Sequence, residues 1–410
     1  MTTKLTNLKL NNVGGFKDFE LNFHDNLTVL IGKNGSGKTT ILTSIALLFN
    51  RALNWVTNNH HSDIQQELSN DLMFNLFPFL NTYSSISIAS CINGKTFSLT
   101  NKGREDFSLF YDILENLYNN QQSLPLFIHY LTNNAPIGNI EFSDLKLEND
   151  PHAAYISACE EGVFDFNRFF AWFAWQENIK REVGTNKKYE VIRQAISKVI
   201  SDEENTFDNL HVTWQKNPNG DLCIEKDGTL LNINQLSAGE KMLLILVADL
   251  ARRLIVANPI SENPLHGDGV VLIDEIDLHL HPSWQRAIAP NLMKIFPSCQ
   301  FIITTHSHLV LSNISHTNVT ILEDFQAVKI TPHTFGRDNN SILYDLMGVK
   351  QRSDDIQQQF DKVYELIDEE KGREARTLLE KLSEDLGEND VDIVRANISL
   401  DFMDIDNETN

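Results

Sequence analysis

The alternation of apolar and polar residues predicts three short strands at the beginning of the chain. Leu8, Leu10 and Asn12, and then Phe19, Leu21 and Phe23, occupy alternate positions of two predicted strands, and a turn at Val13-Gly14-Gly15 separates them. Thr28–Ile31 is a short, mostly apolar run, which is typical of a strand buried on both faces. A glycine-rich loop follows, and Thr40–Phe49 has the apolar content of a buried helix.

The middle of the chain is less regular, but it predicts further strands and helices. Strands are predicted at Ser85–Ile92 and Leu126–Tyr130, and an amphipathic helix at Tyr189–Ile200. Residues 164–175 hold seven aromatic side chains in twelve positions. Because aromatic side chains dominate protein cores and Arg168 is the only basic residue in this run, we interpret it as a core helix rather than a platform for stacking nucleic-acid bases.

The second half alternates strands and helices. Residues 210–231 resemble a β-meander with turns at Asn217–Gly220 and Asp227-Gly228. An α/β alternation follows. Its predicted elements are a helix at Gly239–Ala257, a strand at Val270–Ile273, a helix at Pro282–Ile295 and a strand at Phe301–Thr305.

The chain changes character after Asp354, where two amphipathic helices are predicted. Their apolar stripes are Ile356, Phe360, Val363 and Ile367, then Ala375, Leu378, Leu379, Leu382 and Leu386. The last fifty residues contain sixteen acidic and six basic side chains, close to half of the excess negative charge. We interpret this region as an acidic docking module, with a helical hairpin that covers the rest of the protein as the alternative.

Composition narrows the class of protein. The 410 residues are 41% hydrophobic and carry a formal net charge of −22, which excludes a mostly disordered chain and a general binder of polyanions. The four cysteines fit no zinc-binding spacing and indicate a reducing compartment. No run reaches the roughly 20 apolar residues of a membrane span, and the N-terminus has no apolar signal core. We therefore expect a soluble cytoplasmic protein without a membrane partner.

A phosphate-binding loop follows the third strand. The segment GKNGSGKT matches G-x-x-x-x-G-K-[ST] in the required strand–loop–helix context. Its backbone N–H groups and the start of the next helix suit an anion, Lys38 can reach the β- and γ-phosphates, and the Thr39 hydroxyl suits Mg²⁺. The predicted nucleotide contacts are Gly32, Lys33, Asn34, Gly35, Ser36, Gly37, Lys38, Thr39 and Thr40.

Two acidic residues end the strand at Val270–Ile273. If that strand lies beside the phosphate-loop strand, Asp274 comes close to Mg²⁺ and Glu275 comes close to the γ-phosphate. We predict that Asp274 and Thr39 hold the ion and that Glu275 orients or deprotonates the attacking water.

The segment Leu236–Glu240 opens the apolar helix with a serine and a glycine. Ser237 can be a simple helix cap, but a hydroxyl and free N–H groups at a helix start also suit a γ-phosphate. His306 ends another apolar strand, where it can hydrogen-bond the γ-phosphate and sense its loss. Ser237, Gly239 and His306 therefore join the predicted site.

This set of motifs resembles a known family. GKNGSGKT, LSAGE, VVLIDEID and TTHS are similar to ATP-binding-cassette (ABC-type) ATPases of the RecF and SMC class, and DEIDLHLHP is similar to the branch with OLD-type and anti-phage defence ATPases. Residues 334–343 and the acidic helices further resemble the ATPase subunit (PtuA) of Septu defence systems and its retron-linked relatives. The resemblance covers residues 1–50 and about 230–315 strongly.

The resemblance implies an α/β fold: an ABC-ATPase head, with a P-loop core sheet and an antiparallel β subdomain, plus a helical insertion and a C-terminal helical module. The expected domains are residues 1–50 for the N-terminal lobe with the phosphate loop and 51–205 for the helical insertion. Residues 206–335 are expected to form the lobe with the signature segment LSAGE (Leu236–Glu240) and the switch histidine His306, and residues 336–410 the acidic module.

The family also implies a mechanism and partners. Two copies would sandwich two ATP molecules, each between one chain's phosphate loop and the other chain's Ser237, with Asp277 crossing the interface. The expected assembly is a homodimer or a higher even-numbered homo-oligomer that controls a separately encoded HNH-type nuclease. DNA or a retron RNA–DNA is a further expected partner. The glutamine loop is unplaced, with Gln65 and Gln66 as candidates, and adenine contacts are sought near Phe16 or Lys17.

Two other functions remain open. The first is a DNA-repair or recombination ATPase of the RecF type, for which Lys180, Arg181, Lys187 and Lys188 are the candidate DNA contacts. The second is a nucleotide-gated scaffold with slow turnover. A built-in nuclease site is not expected, because Asp404 and Asp406 lie in the chain's final residues with no strand to present them.

Overall fold

The computed structural model describes residues 3–60, 83–101, 105–131, 150–159, 166–215, 217, 220–328 and 352–409. The chain separates into two compact units, residues 1–342 and 343–410. The predicted glutamine-loop candidates Gln65 and Gln66, and the family-like segment 334–343, lie outside the described residues.

A six-stranded sheet forms the centre of the first unit. Its strands are β3 (Leu27–Gly32), β6 (Leu126–Leu131), β10 (Gly269–Asp274), β11 (Cys299–Thr304), β12 (Val319–Glu323) and β13 (Gln326–Val328), in the order β13-β12-β3-β11-β10-β6. All neighbouring pairs are parallel except β12 and β13. The strands β10 and β11 are buried at every position, as expected for parallel strands covered on both faces. This sheet places the ends of β3, β10 and β11 at one edge.

Helices cover the two faces of this sheet. Helices α1 (Lys38–His60) and α2 (Glu105–Asn119) pack on one face, where Phe127 of β6 stacks on Phe49 with ring centroids 4.4 Å apart. Helix α5 (Ala238–Ala257) lies on the other face, where the hydroxyl of Tyr130 donates to Asp249 at 2.9 Å. Side chains of β6 therefore pack against helices on opposite faces of the central sheet.

A second, antiparallel sheet packs beside the central one. It contains β1 (Thr3–Val13), β2 (Phe16–Asn22), β4 (Ser85–Ile92) and β5 (Lys95–Thr100), in the order β2-β1-β4-β5. The buried side chain of Gln300 on β11 links the sheets, because its amide accepts from Leu5 N at 2.7 Å and donates to Leu5 O at 2.9 Å. The antiparallel sheet is thereby fixed against the central sheet.

A third layer combines two helices with a three-stranded sheet. Helices α3 (Phe166–Val183) and α4 (Lys187–Ile200) precede β7 (Phe207–Thr213), β8 (Asp221–Lys226) and β9 (Thr229–Asn232). Most of the aromatic side chains of α3 are buried, and Glu177 accepts from Val212 N at 2.7 Å. The aromatic run is therefore a core helix along its described part.

The second unit is a bundle of three helices, α8 (Asp354–Asp368), α9 (Gly372–Leu386) and α10 (Val391–Thr409). Its core includes Phe360 and Val363 of α8, Leu379 of α9 and Leu400 of α10. The guanidinium of Arg352 joins the start of α8 to Asp390 and Asp392 at 2.6 and 2.8 Å. The two predicted stripes thus pack together with a third helix.

The expected fold class is confirmed. A P-loop core sheet, an antiparallel β subdomain, helices between the strands and a C-terminal helical module are all present. The remaining helices are α6 (Pro282–Ile295) and the four-residue α7 (His308–Leu311). Among the described residues, no helix is both long enough and apolar enough to cross a bilayer.

Candidate nucleotide site

The phosphate loop joins β3 directly to α1. Gly32 ends the strand, Lys33, Asn34 and Gly35 are exposed, and Lys38 begins the helix. Gly37 has a φ of +99°, and a Cβ added there would lie 2.4 Å from the ring of Phe16. Only glycine suits that position, because both the backbone conformation and the neighbouring ring exclude a side chain. The loop can therefore keep its N–H groups close to an anion.

Lys38 is buried at the base of this loop. Its Nζ donates to the carbonyl oxygens of Gly32 and Lys33 at 2.9 and 3.1 Å. Burial lowers the pKa of Lys38, while the nearby carboxylates of Asp274 and Glu275 oppose that shift. The ammonium is thus held in the loop by backbone carbonyls, with its charge balanced from the end of β10.

Asp274 lies between the start of α1 and the end of β11. Its Oδ2 accepts from the Thr39 hydroxyl at 2.9 Å, and its Oδ1 accepts from the Thr304 hydroxyl at 2.5 Å. The residue is 3% exposed, so these bonds satisfy a carboxylate that has little access to water. The two predicted metal-binding residues, Thr39 and Asp274, are therefore adjacent.

Glu275 has a backbone conformation that is unusual for a residue with a side chain. Its φ is +48°, and its N–H donates to the Thr304 hydroxyl at 2.7 Å. Strained backbone of this kind persists only where its surroundings hold it, and it is concentrated at functional sites. Thr304 therefore positions both acidic residues, through its donated bond to Asp274 and its accepted bond from Glu275.

The side chain of His306 is exposed at the end of β11 and lines the same cleft as the phosphate loop. The backbone N–H of His306 donates to Asp277 at 3.2 Å, and the Thr305 hydroxyl donates to the same oxygen at 2.5 Å. The cleft has a volume of about 350 Å³. Its lining residues are Asn34, Gly35, Gly37, Lys38, Thr39, Thr40, Asp274, Glu275, His306 and Phe325.

The signature segment, Leu236–Glu240 (LSAGE), does not line the phosphate-loop cleft in the described part of the chain. Ser237 caps α5 with a reciprocal pair of bonds: its hydroxyl accepts from Glu240 N at 3.3 Å, and Glu240 accepts from Ser237 N at 2.6 Å. Ser237 is nevertheless exposed, and within the described residues neither Ser237, Gly239 nor Asp277 lines the phosphate-loop cleft. One chain thus brings together the phosphate loop, Asp274, Glu275 and His306, but not the signature serine.

Gly239 packs against the segment that follows Asp277. A Cβ on Gly239 would lie 2.4 Å from the carbonyl oxygen of His279, which itself has a φ of +62°. The start of α5 and the loop after β10 therefore touch through backbone, and the signature segment and Asp277 belong to one surface region.

The residues predicted to contact adenine or DNA differ in their exposure and in their ion pairs. Phe16 is fully buried, whereas Lys17 is exposed. Of the proposed DNA contacts, Lys180 pairs with Glu190 and Arg181 pairs with Glu177, while Lys187 remains exposed. The charges of Lys180 and Arg181 are therefore balanced within α3 and α4.

Sequence reasoning missed several residues of the site. The roles of Thr304 and Thr305 depend on the pairing of β10 with β11, although both threonines lie inside the TTHS motif. His129 on β6 is also new: it pairs in register with Leu272, its ring nitrogens have no hydrogen-bond partner in the described chain, and burial lowers its pKa to about 4. Its ring is therefore neutral near Asp274 at neutral pH.

Comparisons with known proteins show the family of this chain. Residues 100–312 match the family described as "AAA domain, putative AbiEii toxin, Type IV TA system", which is more than half of the chain. The chain belongs to this AAA-domain family. Residues 4–158 also match a family described as "AAA ATPase domain".

Named relatives of this AAA-domain protein include ATPases. The "Retron Vc95 probable ATPase" of Vibrio cholerae serotype O1 biovar El Tor is 31% identical over 388 residues, covering 78% of this chain and 74% of that relative. The "Septu protein PtuA" of Bacillus thuringiensis is 26% identical over 313 residues, covering 74% of this chain and 72% of that relative. These relatives confirm the resemblance to retron-linked and Septu ATPases.

Among solved structures, the SMC head domain from Thermotoga maritima is similar with a TM-score of 0.40 and 15% identity, covering 80% of this chain and 99% of that one.

Proposed function

We propose that this protein is the ATPase subunit of a retron- or Septu-type anti-phage defence complex. It binds ATP and Mg²⁺ in the phosphate-loop cleft, dimerises through the bound nucleotide, and controls a separately encoded HNH-type nuclease. The observation that supports this proposal best is the convergence of Lys38, Asp274, Glu275 and His306 on one cleft. The names of the retron and Septu relatives support the choice of system.

The residues present fit a magnesium ion. Thr39 and Asp274 offer hard oxygen ligands of the kind that Mg²⁺ prefers, and the two oxygens are 2.9 Å apart. Neighbouring ligands of an octahedral Mg²⁺ lie about 3 Å apart, so the pair needs little rearrangement. When bound, the ion neutralises charge on the phosphate oxygens.

Lys38, Glu275 and His306 have separate proposed roles in ATP hydrolysis. Lys38 places a positive charge on the β- and γ-phosphates. Glu275 orients the attacking water and accepts its proton, and Thr304 keeps its backbone in place. His306 donates a hydrogen bond to the γ-phosphate from the end of β11, so loss of that phosphate changes the contacts of this strand end.

A second copy of the chain supplies Ser237. In one chain this serine is exposed and lies away from the phosphate-loop cleft, so its cap can face another molecule. Its neighbour Gly239 lies against the loop that carries Asp277, so both can reach the same partner surface. The γ-phosphate then connects the two copies, and hydrolysis releases them.

The three-helix unit is the proposed docking site for the nuclease subunit. Helix α10 exposes Val391, Val394, Ile398 and Phe402 on the side opposite to its buried Ile393, Ala396 and Leu400. Acidic residues flank this stripe, including Asp392 and Asp401. The charge favours an amphipathic helix with basic flanks over a second copy of this acidic unit.

Co-purification with the neighbouring nuclease tests the docking proposal. We expect a complex with the full chain, and we expect Ile398→Asp to abolish it, because a buried unpaired charge opposes packing. Asn397→Asp adds the same charge outside the stripe of the same helix and serves as the matched control. Absence of a complex both with and without the last fifty residues would reject a nuclease partner.

Replacing Glu275 with Gln tests the catalytic proposal. We expect phosphate release to fall by about 10²-fold or more, because the general base is lost, while an ATP-bound dimer accumulates in light scattering. A nucleotide-gated scaffold predicts instead that the substitution changes neither the turnover nor the dimer. Steady-state phosphate release with the wild-type chain in parallel decides between them.

A further inference from the structure

Phe325 occupies an unusual position at the edge of the nucleotide cleft. Strands β12 and β13 form a hairpin in which Glu323 pairs with Gln326, so Asp324 and Phe325 make a two-residue turn. Both residues have positive φ, +48° and +59°. Turns of this type normally use Asn or Asp followed by Gly, and a bulky residue in the left-handed region is a genuine outlier. Phe325 therefore occupies a turn position where glycine would be less strained.

The ring of Phe325 is held in a defined place. It meets Phe16 edge-on, with centroids 5.2 Å apart and an interplanar angle of 83°. A Cβ on Gly15 would lie 2.2 Å from its Cζ, and a Cβ on Gly37 would lie 3.2 Å from its Cδ1. Two glycines thus leave room for the ring directly beside the phosphate loop.

Phe325 is also the accessible aromatic group of this region. Phe16, beneath it, is fully buried, whereas Phe325 is half-buried and lines the cleft. The other described lining residues are glycines or carry polar side chains that suit phosphate, magnesium or water. Phe325 therefore gives a highly polar cleft one apolar ring surface, next to Gly37 and hence close to the start of α1.

We propose that Phe325 stacks on the base of the bound nucleotide and supplies the base-dependent part of its affinity. This inference rests on the proposed function, because it requires a nucleoside triphosphate on the phosphate loop. Aromatic rings stack on any base, and the edge-on contact with Phe16 and the two glycines fix the ring before the nucleotide arrives. The ring position also accounts for retention of a strained turn.

Binding of Mg-ATP and of Mg-tripolyphosphate separates the base from the phosphates. We expect Phe325→Ala and Phe325→Gly to weaken ATP binding by about fivefold to a hundredfold, in line with the loss of one base–aromatic stack. Tripolyphosphate binding should change less than about twofold, because it has no base. The glycine variant suits the positive φ, so it removes the ring without straining the turn. Tyr364→Ala removes an exposed aromatic ring of α8 in the C-terminal unit and should change neither affinity.

A tryptophan at position 325 supplies a direct signal. Subtracting the fluorescence of the wild-type chain from that of Phe325→Trp isolates the emission of the added tryptophan. This emission should fall when Mg-ATP is added and should not change with Mg-tripolyphosphate. Equal weakening of both ligands in the alanine and glycine variants, or no weakening of either, overturns the assignment of Phe325. If the wild-type chain binds neither ligand, the proposed nucleotide site itself fails, and the base contact fails with it.

Discussion

At the scale of single residues, Thr304 connects the two acidic groups of the site. Its hydroxyl donates to Asp274 and accepts from the N–H of Glu275, which has a positive φ. The threonine is fully buried, so no water can replace either bond without a structural change. The position of Glu275, the proposed general base, thus depends on a residue of the neighbouring strand.

We expect Thr304→Val to lower the rate of ATP hydrolysis about tenfold or more. Valine keeps the shape but removes the hydroxyl, and hydrogen bonds to charged groups contribute about 1.5–3 kcal/mol. The variant should also require more Mg²⁺ for half-maximal activity, since Asp274 loses a partner that orients it. Thr304→Ser restores the hydroxyl and should recover most of the rate. Full activity of the valine variant would show that Thr304 does not position these groups.

A buried ion network stabilises the helix that carries the signature. Asp249 of α5 accepts from Arg253 at 2.7 Å, from Arg252 at 2.8 Å and from Tyr130 at 2.9 Å. Arg253 also donates to the carbonyl oxygens of Ala154 and Ile156. Burial alone would raise the pKa of Asp249, but Arg253 and Arg252 lower it to about 2. The network therefore ties α5 to β6 and to the segment around Ala154.

We expect Asp249→Asn to lower the free energy of unfolding by about 3–5 kcal/mol, because two buried guanidinium groups lose their counter-charge. Since the folded pKa of about 2 lies below the ordinary 3.8, the contribution of Asp249 is complete above pH 4 and is lost as the pH falls towards 2. Urea unfolding between pH 7 and pH 2 measures both effects. Glu190→Gln, in a more exposed ion pair, should cost less than about 1 kcal/mol.

Some site residues could be predicted from sequence, and others could not. Lys38, Thr39, Asp274 and Glu275 follow from a short motif and from the end of a buried strand, because local order fixes their positions. Thr304 and Phe325 act across strand pairs, and no local pattern reports which strands become neighbours. The pairing of β11 with β10 decides the contacts of Thr304, and the pairing of β12 with β3 brings the hairpin that carries Phe325 to the phosphate loop.

At the scale of elements, the start of α5 depends on a close backbone contact. The Cα of Gly239 lies so near the loop after β10 that a Cβ would meet the His279 carbonyl at 2.4 Å. That carbonyl is backbone and cannot rotate away as a side chain could. The geometry of the signature segment is therefore coupled to the loop that carries Asp277.

We expect Gly239→Ala to lower both the melting temperature and the rate of ATP hydrolysis. In a free helix alanine is better than glycine by about 1 kcal/mol, so a gain in stability would indicate that the contact is loose. Overpacking against backbone typically costs about 1–3 kcal/mol and should outweigh that gain.

The apolar pattern of each helix explains whether it could be predicted from the sequence. Helix α6 matches its predicted bounds and α5 begins one residue early, because each has a clear apolar run and a distinct start. Helix α1 extends eleven residues beyond the predicted Phe49, to His60. Helix α10 was missed, since it has apolar residues on both its buried and its exposed side, and no single stripe marks it.

At the scale of the whole molecule, acidic charge and an exposed apolar stripe coincide in the second compact unit. The site chemistry lies in the first unit, which contains every described residue of the nucleotide cleft. This division is consistent with the proposal of a nucleotide-dependent head and a separate docking surface within one chain.

The central claim is that two copies share each nucleotide, one giving Lys38 and the other giving Ser237. The most direct measurement is phosphate release from a mixture of Lys38→Ala and Ser237→Arg chains that have been allowed to exchange subunits. Each variant alone should be inactive, and the 1:1 mixture should recover about a quarter of wild-type turnover, because half of the dimers then hold one intact site. A mixture no more active than its parents, or a Ser237→Arg chain with full activity alone, would contradict the shared site.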